Sequence, residues 1–260
     1  MSEFSNIVTL TTDFSTEDGY VGAMKGKILS ICSDAKLVDI THHIEPHNIL
    51  MASWCILRGT QQFPKGSIHV VVVDPGVGSN RNPLLVKANN QWYVGPDNGV
   101  FSEIIKNFKD IEVFKIYNET ELWKKHQSFD GLEIFSSAAG YLMSGLELSK
   151  IAEPTDKIIM LPNADMNITK DYIEGEIIMF DRFGNGVSNI REGDIQSLKN
   201  DQIAITCQNH KFRFVSHYRE GTENCPVSLI NSDNLLELSV YSGSAKDRFN
   251  IKVGDKVKIK

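Results

Sequence analysis

Asp74 and Arg81 stand on either side of a turn-rich loop, Pro75-Gly76-Val77-Gly78-Ser79-Asn80. Ahead of them runs Ile68-His69-Val70-Val71-Val72-Val73, apolar and β-branched except for one histidine, which reads as a central strand buried on both faces. Proline cannot donate to a sheet ladder and glycine permits a sharp turn, so the strand stops at Asp74-Pro75-Gly76. Asp74 therefore falls at the carboxyl end of a buried strand, where open α/β sheets place their ligands. The loop is flexible enough to bring Arg81 back over that end. A carboxylate and a guanidinium in a sheet crevice could hold and polarise a small molecule. On these residues alone, a structural ion pair pinning the loop fits equally well.

Other acids repeat the arrangement. Ile7 to Thr12 reads as a strand ending at Asp13, and Lys36 to Thr41 as a strand containing Asp39 and followed by His42 and His43. Between them, Ser15 to Gly19 forms a polar loop, and Tyr20 to Cys32 reads as a helix whose Gly22, Ala23 and Gly26 suggest close packing on the sheet. Pro46 is expected to open a second helix running to about Gln62. Strand–helix–strand–helix–strand implies a parallel sheet with right-handed crossovers.

Leu84 to Ala88 and Trp92 to Val94 flank Asn89-Asn90 as a hairpin, which ends in the turn cluster Gly95-Pro96-Asp97-Asn98-Gly99. A short helix over Phe101 to Phe108, a strand over Val113 to Tyr117 and a helix from about Leu132 to Leu146 follow. Pro154 and Pro162 then interrupt the pattern. From Tyr172 onward no convincing amphipathic helix is seen. Short strands are expected instead over Gly175 to Phe180, Gln202 to Thr206, Lys211 to Val215, Val227 to Ile230, Leu235 to Val240 and Lys256 to Ile259. The fold class expected is an N-terminal α/β domain with a mostly parallel sheet, residues 1–160, plus an all-β barrel-like domain, residues 170–260.

With 260 residues, 23% charged, and a net charge of −6, the chain has the composition of a soluble globular protein and lacks the basic surface that nucleic acid requires. Cys32, Cys55, Cys207 and Cys225 show no CxxC spacing and suit reduced thiols better than a disulfide frame or a zinc site. The opening MSEFSNIVTL has neither the basic region nor the long apolar core of a secretory signal, and no run reaches membrane-spanning length. A cytoplasmic location with no membrane partner is expected. Asp13, Asp39, Asp74 and Asp97, with His42, His43 and His47, could in principle hold a metal, but no HxH or HExxH spacing fixes two ligands on one face. No GxSxG elbow, GxGxxG fingerprint or GxxxxGK[ST] loop is present, which argues against a serine hydrolase, a Rossmann dinucleotide site and a P-loop.

Several motifs carry a family resemblance. Thr11-Thr12-Asp13-Phe14, Asp18-Gly19-Tyr20-Val21-Gly22 and Met24-Lys25-Gly26 open it. Val38-Asp39-Ile40-Thr41-His42, Val72-Val73-Asp74-Pro75-Gly76-Val77-Gly78 with Arg81, and Gly95-Pro96-Asp97-Asn98-Gly99 continue it. Asp181-Arg182-Phe183-Gly184-Asn185, Ser188-Asn189-Ile190 and Asn231-Ser232 before Leu235-Leu236-Glu237 extend it to the C-terminal part. Together they resemble the S-adenosylmethionine hydrolases, also called SAM hydroxide adenosyltransferases, which are relatives of fluorinase and chlorinase.

The resemblance implies hydrolysis of S-adenosyl-L-methionine to adenosine and L-methionine by water attacking ribose C5′, with no cofactor and no metal. It implies a homotrimer with the site between one subunit's N-domain and its neighbour's C-domain. Asp13 would hold the ribose diol, Asp18 would contact the methionine end, and His47 would lie beside the ribose. Phe183, Asn185, Tyr218 and Ser232 would take the adenine. Asp74 and Arg81 match the Asp–Arg part of the family's water-activating Asp–Arg–His set. The family's Thr-Phe-His-Gly-Arg-Asp appears here as Ser128-Phe129-Asp130-Gly131-Leu132-Glu133, so Asp130 stands at the histidine position and would accept the water's proton, or else cap the following helix. A SAM-dependent halogenase and a SAM- or adenosine-binding protein without catalysis are the alternatives.

Overall fold

The strand leading to Asp74, Ile68–Val72, is buried at every residue, and the sheet of the first unit is built outward from it. The computed structural model describes residues 4–123, 128–164, 166–196, 198, 203–222 and 224–260. They divide into two units, Met1–Leu161 and Pro162–Lys260.

In the first unit, β1 (Ile7–Thr12), β2 (Lys36–Thr41), β3 (Ile68–Val72), β4 (Pro83–Ala88), β5 (Gln91–Pro96), β6 (Glu112–Ile116) and β7 (Ala152–Pro154) form one mixed sheet, ordered β2-β1-β3-β5-β4-β6-β7. β2, β1, β3 and β5 run parallel, while β4, β6 and β7 add antiparallel pairings. The period-two alternation of β3 sends Ile68, Val70 and Val72 into one core, with Met24, Ile28, Phe135 and Ala138. Val71 and Val73 enter the other, with Ala52, Ile56 and Ile104. Each such side chain, fully buried, is worth about 1.5–3 kcal/mol. Helices therefore cover both faces: α1 (Tyr20–Ile31) on the first, α2 (Ile49–Thr60) and α3 (Ser102–Asn107) on the second, and α4 (Ser137–Met143) on the first again. The β4–β5 hairpin turns at Asn89 and Asn90, with φ of 50° and 57°, the left-handed pair such a two-residue turn requires.

Several expectations change. The second helix opens at Ile49, not at Pro46, because Asn48 caps it by accepting the Met51 N–H at 2.9 Å. Gly22, Ala23 and Gly26 lie on the exposed side of α1, whose buried residues are Val21, Met24 and Ile28. A Cβ at Gly22 or Gly26 would meet nothing within 4 Å, so these glycines do not serve packing on the sheet. The helix expected from Leu132 begins as a π-helical stretch, Gly131–Ser136, before α4.

The second unit contains β8 (Asn167–Ile168), β9 (Ile173–Phe180), β10 (Gly186–Arg191), β11 (Ala204–Cys207), β12 (His210–Phe214), β13 (Val227–Ile230), β14 (Leu235–Ser239) and β15 (Lys256–Ile259). The run β10-β14-β13-β12-β11-β15-β9 closes on itself because β10 also pairs with β9, and β8 is appended to β9. The result is a seven-strand barrel filled by Ile173, Ile177, Phe212, Leu236, Leu238 and Val257. Closure removes the exposed edges an open sheet would present. The strand β10 was missed by the sequence reading, as were two short helices, α5 (Glu192–Gln196) and α6 (Ala245–Phe249). Both helices are too short to show a helical period. Gln202, expected to open a strand, lies outside the described residues.

His69 is the one ionisable residue of β3. It lies between the rings of Phe63 and Tyr93, at centroid distances of 5.8 and 4.9 Å, with Thr9 Oγ1 2.8 Å from its Nδ1. Burial holds its pKa down to about 3, against the opposing hydrogen bond of Gln91. An unfolded chain protonates this histidine near 6.5, so below that pH the unfolded state binds the extra proton and the fold loses stability. The slope reaches about 1.4 kcal/mol per pH unit and ends near pH 3, where the folded form also protonates. Urea denaturation across pH 7 to 4 should show this loss, and His69→Gln should remove it. An identical pH dependence in the variant would contradict the assignment.

Candidate active site

The parallel registers bring the strand ends to one edge. Thr12 pairs with Val72 and Thr11 with Thr41, while Val70 pairs with Val94. Asp13, His42, Asp74 and Asp97 thus follow the carboxyl ends of neighbouring strands.

The loop after β3 is folded by its own turns. Asp74 Oδ1 accepts the Gly76 N–H at 3.2 Å, the Ser79 N–H donates to the Gly76 carbonyl at 3.0 Å, and Gly78 adopts φ 81°, a region that glycine enters without strain. This returns Arg81 to the strand end. Its Nε donates to both oxygens of Asp74 at 2.8 Å, and its Nη2 donates to Asp74 Oδ2 as well. The same Nη2 reaches Asp130 Oδ2 at 2.7 Å. The guanidinium carbon lies 5.4 Å from the centroid of the Phe135 ring. All three charged side chains are buried.

Asp130 does not cap the helix that follows it: its side chain makes no capping hydrogen bond, and its carboxylate turns to Arg81 instead. Asp130 is 1% exposed and its Oδ1 has no hydrogen-bond partner among the described residues. This residue lines a cavity of about 140 Å³, together with Phe14, Tyr20, Val72, Asp74, Val77, Ser128, Phe129 and Gly131. A buried carboxylate oxygen without a donor is costly. On the wall of a cavity, such an oxygen leaves room for a further donor, which a bound water could supply.

Asp13 and His47 also meet, since Asp13 Oδ2 accepts the His47 N–H at 2.9 Å. His47 takes φ 68° to present that N–H, a left-handed conformation unusual for a side-chain-bearing residue. Asp18 is exposed in the loop ahead of α1 and does not line the cavity of Asp130. Asp39 does not belong to the cavity. Burial works to raise its pKa, but the hydrogen bonds of Lys25 and His42 outweigh it, and the carboxyl sits lowered. Asp97 braces the chain instead, accepting the Ile159 N–H at 2.7 Å, and burial raises its pKa. Among the described residues, no group of three or more His, Cys, Asp or Glu side chains is placed to hold a metal ion, and no helix is long and apolar enough to cross a membrane.

The second unit carries its own cavity of about 520 Å³, lined by Asp181, Phe183, Asn185, Tyr218 and the turn from Ser239 to Gly243. Asp181 Oδ1 accepts the N–H groups of Phe183 and Asn185 at 2.9 and 2.8 Å, which shapes the loop. Asn185 donates from Nδ2 to Asp181 Oδ2 at 2.9 Å and accepts from Ser239 Oγ at 2.7 Å, so its amide orientation is fixed. Tyr218 donates its hydroxyl to buried Glu237 at 2.8 Å. Phe183, 76% exposed, presents its ring to solvent. Phe183, Asn185 and Tyr218 are thus brought together, whereas Ser232 sits in the exposed turn between β13 and β14 and does not line this cavity.

The sequence profile of the SAM hydroxide adenosyltransferase N-terminal domain matches residues 8–152, and that of the C-terminal domain matches residues 175–258. The chain belongs to the SAM hydroxide adenosyltransferase family. It is 33% identical to an (R)-S-adenosyl-L-methionine hydrolase of Methanocaldococcus jannaschii, over 98% of this chain and 95% of that one. A Thermus thermophilus protein of the same description is 28% identical over 97% and 98%, and a fluorinase of Nocardia brasiliensis is 22% identical over 98% and 96%. A crystal structure of an uncharacterized conserved protein from Thermotoga maritima superimposes with a TM-score of 0.88 at 29% identity, covering 97% of this chain and 99% of that one. Within this family frame, the sequence reading missed the rings of Phe14, Tyr20 and Phe129 on the first cavity, and Asp181, Ser239 and Tyr241 on the second. The signal was present for the rings, which adjoin Asp13, Gly19 and Asp130 inside the quoted motifs.

Arg81 is the only cation shown bonded to either buried carboxylate among the described residues. Its removal leaves two buried carboxylates facing each other, and breaking such a pair typically destabilises by about 3–5 kcal/mol. Arg81→Gln should therefore lower the thermal midpoint markedly, whereas a midpoint within a degree or so of wild type would show that the trio does not hold the fold.

Proposed function

We propose that this protein hydrolyses S-adenosyl-L-methionine to adenosine and L-methionine by in-line attack of water at ribose C5′. The observation that carries this reading is the buried, unpartnered Oδ1 of Asp130 on the wall of the first cavity. A water held there donates one hydrogen to Oδ1. Its oxygen attacks C5′, the C5′–S bond breaks, and the electron pair leaves on sulfur. The departing group is a neutral thioether, so no acid has to protonate it. The work left to the protein is to place the water, take its proton and support the charge that develops on it. Asp130 takes the proton, Arg81 supplies fixed positive charge, and Asp74 orients Arg81 through the bonds from Nε.

Recognition is distributed over the remaining residues. Asp13, already turned by the His47 N–H, accepts both ribose hydroxyls, and Asp18 contacts the methionine end. Phe183 and Tyr218 offer rings for stacking on adenine, and Asn185 retains one amide N–H for an adenine ring nitrogen. Two carboxylates against one guanidinium leave the first cavity with an excess negative charge, which opposes halide as the nucleophile. Homotrimeric assembly and a cytoplasmic setting belong to the same proposal. Light scattering and cell fractionation test them.

Incubation of the purified protein with S-adenosyl-L-methionine, followed by chromatography, should show adenosine and methionine in equal amounts. Binding without product would favour a SAM-binding protein, and a 5′-halogenated nucleoside in the presence of halide would favour a halogenase. Asp130→Asn keeps the shape and removes the basicity, and should reduce turnover by about 10²-fold or more. Turnover equal to wild type would remove Asp130 as the base. Asp13→Ala should weaken adenosine binding by about 2–4 kcal/mol, the worth of two charge-assisted hydrogen bonds. Calorimetry showing unchanged affinity would refute that role.

A further inference from the structure

Three aromatic rings meet at the cavity that holds Asp130. Ring centroids of Phe14 and Tyr20 are 5.8 Å apart with planes at 56°, those of Phe14 and Phe129 are 5.8 Å apart at 68°, and those of Tyr20 and Phe129 are 5.1 Å apart at 75°. Three rings so steeply inclined form the corner of a box, not a stack. All three line the cavity, with Val72 and Val77 adding apolar wall. They are not hidden core: Tyr20 is 49% exposed, and Phe14 and Phe129 are half-buried. Asp74 and Asp130, with one guanidinium between them, set two carboxylates against one cation at the same cavity, counted over the described residues.

We propose that this aromatic corner selects the sulfonium group of the substrate, with Tyr20 as a specificity-determining residue; the proposal rests on the hydrolase reading above. Aromatic rings attract a cation through the negative potential of their faces, and a ligand cation that has lost its water gains most. A methyl sulfonium presents such a charge on an apolar group, so ring and valine walls accept it where they would exclude a hydrated ion. The carboxylate excess adds a longer-range attraction of the same sign. The thioether S-adenosyl-L-homocysteine has the same adenosine and amino-acid ends but lacks both the methyl and the charge. The corner therefore separates the two at the one place where they differ.

The chemistry limits what this contact can do for the rate. The positive charge on sulfur disappears as the C5′–S bond breaks, so the attraction is stronger in the bound substrate than in the transition state. Such binding lowers KM without raising kcat. It also lapses once methionine has formed, which favours release of that product.

Kinetics on the full chain test the proposal. KM and kcat for S-adenosyl-L-methionine, and the inhibition constant of S-adenosyl-L-homocysteine, are to be compared for wild type, Tyr20→Leu and Tyr20→Phe. Tyr20→Leu should raise KM about 3- to 10-fold, leave kcat unchanged or raise it by a smaller factor, and leave the inhibition constant of the thioether unchanged. Tyr20→Phe should restore the wild-type KM. Equal weakening of substrate and thioether by Tyr20→Leu would mean an ordinary apolar contact and overturn the proposal, as would an unchanged KM. Phe14→Leu, measured in the same way, decides the matter if Tyr20→Leu fails to fold. A wild-type protein that forms no adenosine would sink the hydrolase reading instead. The corner is then judged by calorimetry, where a wild-type preference for the sulfonium over the thioether that Tyr20→Leu does not reduce overturns it.

Discussion

A single guanidinium shared by two buried carboxylates is the constraint around which the first unit is arranged. Arg81 meets Asp74 through Nε and Nη2, and Asp130 through Nη2 alone. Two carboxylates this deeply buried would repel each other without it; Asp74 would keep only the Gly76 N–H, and Asp130 would lose the one hydrogen bond shown to it. Several features follow from keeping Arg81 in place. The strand β3 must end where Asp74 leaves the sheet, the loop must double back, and Phe135 must lie within reach of the guanidinium. The ion trio is a structural clamp, and because Asp74 and Asp130 also line a cavity, the choice left open by Asp74 and Arg81 alone need not be an exclusive one.

The position of Asp130 is set by unusual backbone. Gly131 starts a π-helical stretch, closed by Ser136 Oγ donating to the Gly131 carbonyl at 2.7 Å. A Cβ at Gly131 would stand 2.9 Å from the Phe129 ring and 3.4 Å from Val72, so a larger residue there would push the aspartate loop away from β3. Single π turns inside helices recur at functional sites because they shift side chains relative to the regular helical rows. In this chain the shift coincides with the aspartate that faces the cavity.

Much of this was legible because it depends on short-range chemistry. The β-branched run of β3, the turn residues after it and the acids at strand ends each carry a local signal, and together they locate the carboxyl edge of the sheet. Asp74 and Arg81 could be paired because only a few residues separate them. Asp130 could not be joined to them by any spacing rule, since its contact with Arg81 spans 49 residues and was suggested only by the family motif. The helix cap seemed open to it because aspartate commonly fills that role, but the buried guanidinium offers a charge-assisted bond that a cap does not. The exposed glycines of α1 misled for a related reason: small residues permit close packing without requiring it. The strand β10 was hidden because Gly186 and polar Ser188 and Asn189 break the apolar alternation that marks a strand. Ser188 donates its hydroxyl to the Leu236 carbonyl of the neighbouring strand β14, and that long-range pairing, which no local pattern shows, satisfies the buried group.

The charge count around Arg81 connects this geometry to the choice of chemistry. The resemblance places a histidine where Asp130 stands, and a neutral ring there would leave an aspartate and an arginine balanced. Asp130 in that place adds a second carboxylate and makes the set negative by one charge. Charges on buried side chains are screened less than charges at the surface, so an excess on this wall would act on whatever enters. On the proposed reading a cationic sulfonium would be drawn in, a halide repelled, and a water oriented with its hydrogens toward Oδ1. Each effect favours hydrolysis over halogen transfer. The same excess would oppose a hydroxide arriving from solvent, so the nucleophile has to enter as neutral water and lose its proton inside the cavity. On the proposed reading Asp130 would be the proton acceptor that meets that requirement, with one oxygen held by Arg81 and the other without a donor among the described residues.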